Sequence, residues 1–170
     1  MTLKELDKLV QRYRNGEKET FDAIFNETQT TVYLSVRAIL SDTVAIEDLV
    51  QDTYMKALEN LDKYQSGTNF KAWISKIARN IAINYFKREK KLEHVEIDDP
   101  VFNKESSDIN LSYCLSLLEG VEREVVIYHL LLNMKFKDIA KILEVSTSHA
   151  FQIYKKSFKK NKIKNKKKVN

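Results

Sequence analysis

Between Phe136 and Lys160 the chain places Thr147, Ser148, Gln152, Lys155, Lys156 and Lys159 on one side of a helical segment. Hydroxyls, amides and ammonium groups in that pattern read base edges and phosphates; they do not break bonds. Opposite them, Ala150, Phe151, Tyr154 and Phe158 turn toward a core. Just upstream, Phe136, Ile139, Ala140, Ile142 and Leu143 recur at three- and four-residue steps, and Val145 closes that segment. Ser146 stands where its side chain can accept from the first amides of the second helix. The pair predicts a helix-turn-helix, with its second helix in a DNA major groove. An ordinary helical hairpin with solvated lysines fits the same spacing, and the basic second helix favours DNA.

Two more constellations carry binding chemistry. Asp48, Gln51, Asp52 and Met55 fall at i, i+3, i+4 and i+7, one continuous stripe that fits docking onto a basic partner helix. Taken alone, such a stripe is more often a merely solvated face. Further on, Tyr64, Phe70, Trp73, Tyr85 and Phe86 lie among Lys71, Lys76, Arg79, Lys87 and Arg88, a mixture that can stack unpaired bases and track phosphates. Trp73 shares the apolar face of Ile77 and is expected in the core. Asn80, Asn84 and Lys76 project away from it. No Gly-rich phosphate loop, nucleophile elbow or HExxH is present, and the histidines, His94, His129 and His149, are scattered. No catalytic residue, metal site or cofactor is expected. His129 and Cys114 read as core residues.

Helices must hold these groups. Three glycines and one proline in 170 residues are too few for a turn-rich β fold. The expected fold is all-α: two small helical domains joined by a flexible linker, the second containing the helix-turn-helix. The first covers 1–91, with helices from about Thr2 to Arg14, Lys18 to Leu40, Asp42 (a cap) to Leu61 and Phe70 to Lys91. The third helix would bury Ile46, Leu49, Val50, Tyr54, Ala57, Leu58 and Leu61. Residues 92–110 hold six acids, the single proline and no helical face, a linker. The second domain covers 111–160, and 161–170 is a basic tail.

The net charge is +5, yet nine lysines and no acid follow Tyr154, so subtracting nine leaves residues 1–154 at −4. A basic arm on an acidic body suits polyanions, because lysines displace counterions condensed on phosphates; a solvated tail has the same composition. One cysteine fits a reducing compartment, the N-terminus lacks the apolar run of a signal peptide, and Val125 to Met134 is too short to span a bilayer. The expected location is cytoplasmic, without membrane insertion.

Taken in order, the segments AIEDLVQDTYMKALENLDKY, FKAWISKIARNIAINYFKREKK and LLEGVEREVVIYHLLLNMKFKDIAKILEVS resemble the core-binding helix, the promoter-opening helix and region four of extracytoplasmic-function (ECF) sigma factors of the sigma-70 family. The resemblance implies a promoter-specificity subunit whose partners are core RNA polymerase, promoter DNA and, in some members, an anti-sigma protein. Asp48, Gln51, Asp52 and Met55 would dock on the clamp helices of the largest polymerase subunit, and the polymerase flap would be a further contact. Tyr64, Gln65, Ser66, Thr68 and Asn69, with Asn80 behind them, would capture a flipped base of the −10 element. Lys76, Arg79, Asn84, Lys87 and Arg88 would contact the −10 duplex. Thr147, Ser148, His149, Gln152, Lys155 and Lys156 would enter the −35 major groove. The chain departs from the family pattern at Ile153 and Phe158, common arginine positions, and at Asn133 and Glu144, common glycine positions. The alternative reading is a stand-alone helix-turn-helix regulator.

Overall fold

The computed structural model describes residues 1–40, 43–92, 115, 117–118 and 120–167, and every element among them is helical. Helix α1 (Leu3–Arg14) opens on a reciprocal capping box: Thr2 Oγ1 accepts from the Glu5 amide at 3.2 Å, and Glu5 Oε2 accepts from the Thr2 nitrogen at 2.7 Å. It ends where Gly16 takes φ 104°. A short 3-10 turn, Lys18–Thr20, leads into α2 (Phe21–Arg37); α3 (Thr43–Glu59) and α4 (Phe70–Leu92) complete the first unit.

Helices α2, α3 and α4 pack pairwise, and α1 lies against α2. Leu6, Val10, Ile24, Val32, Val36, Ile46, Leu49, Ile74, Ala78 and Ala82 form the common core. Buried hydroxyls pair across it. Thr28 and Tyr54 hydroxyls join α2 to α3 at 2.8 Å, and Ser35 donates to Ser75 across α2 and α4 at 3.1 Å. Burial pushes the Tyr54 phenol up to about 12, against the pull of Thr28. Lys71 on α4 reaches Glu27 on α2 at 2.7 Å.

The second unit contains α5 (Val121–Val126), which widens into a π-type turn over Ile127–Leu131, then α6 (Phe136–Leu143) and α7 (Thr147–Lys167). Asn133, at φ 50°, turns the chain toward α6, and Glu144, at φ 58°, ends it. Both occupy the left-handed region at the two positions where the resembled family commonly has glycine. Ser146 Oγ accepts from the His149 amide at 3.1 Å and caps α7 as expected. His129, read as a core residue, is half-buried at the edge of the second core: its Nδ1 lies 3.0 Å from the Met134 carbonyl, and its ring stacks on Phe136.

Three expectations are corrected. The third helix ends at Glu59, and Leu58, assigned to the core face, is exposed. Its neighbour Ala57 takes the inward position one residue earlier. Phe151, assigned inward, is 41% exposed; it packs edge-on against Phe136 at 5.3 Å, with the Lys155 ammonium 5.3 Å from its ring. The second helical segment begins at Lys18 but adopts the α form only from Phe21 and ends at Arg37. The Asp42 cap, the linker over 93–110, Cys114 and the side chain of Phe158 lie outside the described residues.

The two units pack against each other. Helix α6 lies along α4, and Ala72 of α4 is buried in the cluster formed by Val125, Tyr128, Ile139, Ala140 and Leu143. Ala38, at the end of α2, is buried with Leu115, Leu118, Val126 and Ile127, and Leu34 packs against them.

Candidate nucleic-acid interface

The acidic stripe is presented by α3. Ile46, Leu49, Thr53, Tyr54 and Ala57 point into the core, which forces Asp48, Gln51, Asp52 and Met55 outward; all four are exposed, Met55 to 64%. An isolated methionine that far from the core is an adaptable contact for a partner. Asp52 and Met55 also line one side of a cleft whose other wall, on α4, carries Ile81, Asn84, Lys87 and Arg88. Acidic and basic surfaces therefore meet along a single groove.

The loop before α4 is built on Tyr64. Its side chain is 2% exposed and its ring lies 5.1 Å from Phe70 and 5.5 Å from Trp73. The hydroxyl sits 2.8 Å from Asp7 Oδ1 and 2.9 Å from the Thr68 carbonyl, while Asp7 Oδ2 accepts from the Gly67 amide at 3.1 Å. Gly67, at φ 79°, makes the turn that brings its amide to that carboxylate. Burial, then the Asp7 carboxylate, raises the Tyr64 phenol well above its ordinary value. Tyr64 is thus corrected from a base-contacting residue to the pillar of the loop. A phenol buried against two rings and fixed by a carboxylate has no face left for a base.

Asp7 is the residue sequence reasoning missed here. One acid on an amphipathic helix, 60 positions from the glycine it holds, leaves no local signal. Gln65 and Ser66 are exposed at the loop tip. Thr68 is half-buried and donates to the Gln65 carbonyl at 2.7 Å. Trp73 packs with the first core, as its spacing predicts.

On α4, Asn80, Asn84, Lys87 and Arg88 are exposed, while Lys76 and Arg79 are half-buried. Asn69, Lys76 and Arg79 are all engaged by the second unit. Asn69 accepts from the Ala72 amide at 3.4 Å at the head of α4 and donates to Asp138 Oδ2 at 2.9 Å. Lys76 pairs with Glu144 at 2.9 Å, and this ammonium holds the exposed Glu144 carboxyl below the usual range. Arg79 grips Glu124 through two hydrogen bonds, of 2.5 and 3.3 Å. The Glu124 carboxylate is 5% exposed; burial pushes its pKa up, and Arg79 opposes that shift.

On α7, Thr147, Ser148, His149, Gln152, Lys155 and Lys156 are exposed together. Ile153 is half-buried and packs with Tyr154 on the second core, so an arginine there would lose that packing. The sequence brings the stripe, the loop tip and this helical face to the surface; it gives no sign of Glu124, Asp138 or Glu144 as partners of α4.

Helical bundle, acidic stripe, aromatic-braced loop and helix-turn-helix define a two-part helical protein, and comparisons with known proteins show what it is similar to. The family model for sigma-70 region 2 matches residues 24–92, from α2 through α4. The ECF RNA polymerase sigma factor BldN of Streptomyces coelicolor is 30% identical over 84 residues, 49% of this chain and 32% of that protein. SigM of Bacillus subtilis is 23% identical over 141 residues, 76% of this chain and 85% of that one. The alignment thus spans about a third of the first relative and most of the second. The sigma factor RpoE of Bartonella quintana, solved in complex with the anti-sigma factor NepR, shares the fold at TM-score 0.68 and 22% identity, covering 83% of this chain and 93% of that one. Residues 24–92 thus match sigma-70 region 2, and the chain is similar to ECF sigma factors. No helix among the described residues is long and apolar enough to cross a membrane.

Proposed function

We propose that this chain is a dissociable promoter-specificity subunit: it binds core RNA polymerase, recognises −10 and −35 promoter elements and promotes initiation. The observation that carries the reading is the stripe on α3, four residues turned outward on a helix that lies within the region matching sigma-70 region 2. Asp48, Gln51 and Asp52 steer and register a basic helix pair of the polymerase clamp, and Met55 supplies the apolar contact.

Strand separation falls to α4 and the loop before it. Gln65, Ser66, Thr68 and Asn69 receive an unpaired base of the −10 element, with Asn80 supplying a further amide. Tyr64 acts from below, by holding the loop in shape. Lys76, Arg79, Asn84, Lys87 and Arg88 follow the phosphates. Thr147, Ser148, His149, Gln152, Lys155 and Lys156 enter the −35 major groove. With Ile153 packed inward, guanine readout there rests on lysines, which contact it less well than a bidentate arginine. The chain contributes position and strand capture, and the polymerase contributes the nucleotidyl chemistry. Two modest contacts joined by a tether reinforce each other through effective concentration.

Run-off transcription with purified bacterial core polymerase tests the reading. Promoter-dependent transcripts made only when the chain is added support it. A palindromic duplex bound tightly without polymerase, and no transcript with it, points instead to a stand-alone regulator.

A further inference from the structure

Helix α7 outlasts the core it packs on. It runs from Thr147 to Lys167, 21 residues and about 31 Å. Ala150 and Ser157 are fully buried, and Ser157 is the last buried residue among the side chains described on α7. Ten further helical positions, 158–167, carry the backbone on for about 15 Å. They hold six lysines and no acid; none follows Glu144 anywhere in the chain.

Helical spacing gives these lysines a direction. Ser148, Gln152 and Lys155 are exposed on the side of α7 opposite Ala150 and Ser157. Steps of 4, 3 and 4 residues from Lys155 then reach Lys159, Lys162 and Lys166. One row thus runs the whole helix, with a hydroxyl and an amide at its start and lysines alone from Lys155 on. We propose that α7 is a two-part DNA element: residues 147–156 lie in the major groove, and the lysine row past Ser157 is a stiff arm on the phosphates bordering that groove, holding duplex DNA whatever its sequence. The arm rests on the groove placement given under the proposed function and adds a second, sequence-independent contact to it.

Dimensions and charge both favour this partner. A major groove is about 12 Å wide, and the first ten residues of α7 already span about 15 Å, so a helix that continues straight meets the bounding backbone. Lys155–Lys159, Lys156–Lys160, Lys160–Lys164 and Lys162–Lys166 are like-charge pairs four apart, each mildly destabilising, and no acid on the helix offsets them. Phosphates supply the missing counter-charge, and the lysines release their condensed counterions. Residues 1–154, at −4, are repelled by a polyanion, and the arm offsets that repulsion. An anionic lipid surface fits less well, because a helix lying on it needs an apolar face and 159–167 contains one apolar residue, Ile163.

The test uses the full chain and a fluorescein-labelled duplex of random sequence, with binding followed by anisotropy between about 50 and 300 mM KCl. Lys159→Gln with Lys162→Gln and Lys166→Gln removes the row. Lys160→Gln with Lys164→Gln and Lys167→Gln removes equal charge from the next row round. Asn161→Pro keeps every lysine and breaks the helix. An unchanged thermal midpoint establishes that each variant is folded.

Removing the row should lower the slope of log affinity against log salt by about 2.7, three phosphates at about 0.9 each, and weaken binding about tenfold or more near 150 mM salt. The next row should change the slope by less than about 1, and Asn161→Pro should lower it by about 1.8, since Lys162 and Lys166 lie past the break. Equal changes from the two rows, or a parental slope for Asn161→Pro, overturn the arm in favour of a diffuse basic tail. A row variant that loses anionic lipid vesicles while keeping the duplex overturns it in favour of a membrane surface. If the parent chain binds no duplex at the lowest salt, the groove placement fails and the arm with it; parental binding by the row variant sinks the arm alone.

Discussion

Tyr64 shows how one side chain can serve a binding loop without touching what the loop binds. Its ring fills the space between Phe70 and Trp73, and its hydroxyl links the loop to Asp7. Tyr64→Phe is expected to cost about 1 kcal/mol, the net worth of the lost hydrogen bond, and Tyr64→Ala about 3–5 kcal/mol. Urea titrations check both, and a lowered midpoint at unchanged slope is the expected signature. Glu144 works in the other direction. A non-glycine residue at φ 58° is strained, so Glu144→Gly should raise the thermal midpoint of the second unit by the equivalent of up to about 1 kcal/mol.

Glu27 sets a pH dependence. The hydrogen bond from Lys71 holds its carboxyl below the ordinary value, so the folded state releases this proton more readily than the unfolded chain. The stability it contributes is complete above the unfolded value, about 4.3, and is lost as pH falls through the lower folded value. Glu27→Gln should therefore cost about 0.2–1 kcal/mol at pH 7 and flatten the acid limb of stability against pH below about 5. An acid limb identical to that of the parent chain would place the linkage elsewhere. The surface residues were legible from the sequence: Asn80, Asn84 and Gln152 are exposed where periodicity puts them, and Gln65 is exposed in the polar segment before α4. Tyr64 was not, because an aromatic next to cations reads the same whether it stacks on a base or on Phe70.

At the scale of elements, α3 and α4 carry the two halves of the proposed activity on the two walls of one cleft. Their core faces follow from 3.6-residue periodicity, with Leu58 on α3, like Phe151 on α7, a misassigned apolar position. Both sit at the margin of a wide apolar face, where a single residue's shift in phase decides between core and solvent. Asn80 is exposed on α4 and takes no part in the contacts with the second unit that engage Lys76 and Arg79. Asn80→Ala is therefore expected to slow promoter opening, read by permanganate footprinting of the −10 region, by about tenfold while changing closed-complex affinity less than twofold; equal losses at both steps would make Asn80 a structural residue. A tenfold change corresponds to about 1.4 kcal/mol, within the range for one base contact.

For the whole molecule, the sequence divides the chain into two helical units, and the structure packs them together through α4 and α6. The division is written in composition, since 92–110 lacks a helical face. The packing is not: Asp138 and Glu144 look like ordinary solvated acids on a short helix and its end, and Glu124 like a polar residue of α5. Their role follows from charge complementarity between segments more than 40 residues apart, which no local pattern records.

Docking of the stripe on polymerase is the claim on which every later step depends. The most direct measurement is the affinity of the full chain for purified bacterial core polymerase, compared with Asp48→Lys plus Asp52→Lys. The parent chain should bind with one-to-one stoichiometry. The double variant, folded as shown by an unchanged circular dichroism spectrum and thermal midpoint, should lose affinity by about a hundredfold, roughly 3 kcal/mol. Equal binding by both chains, or none by the parent, contradicts the account.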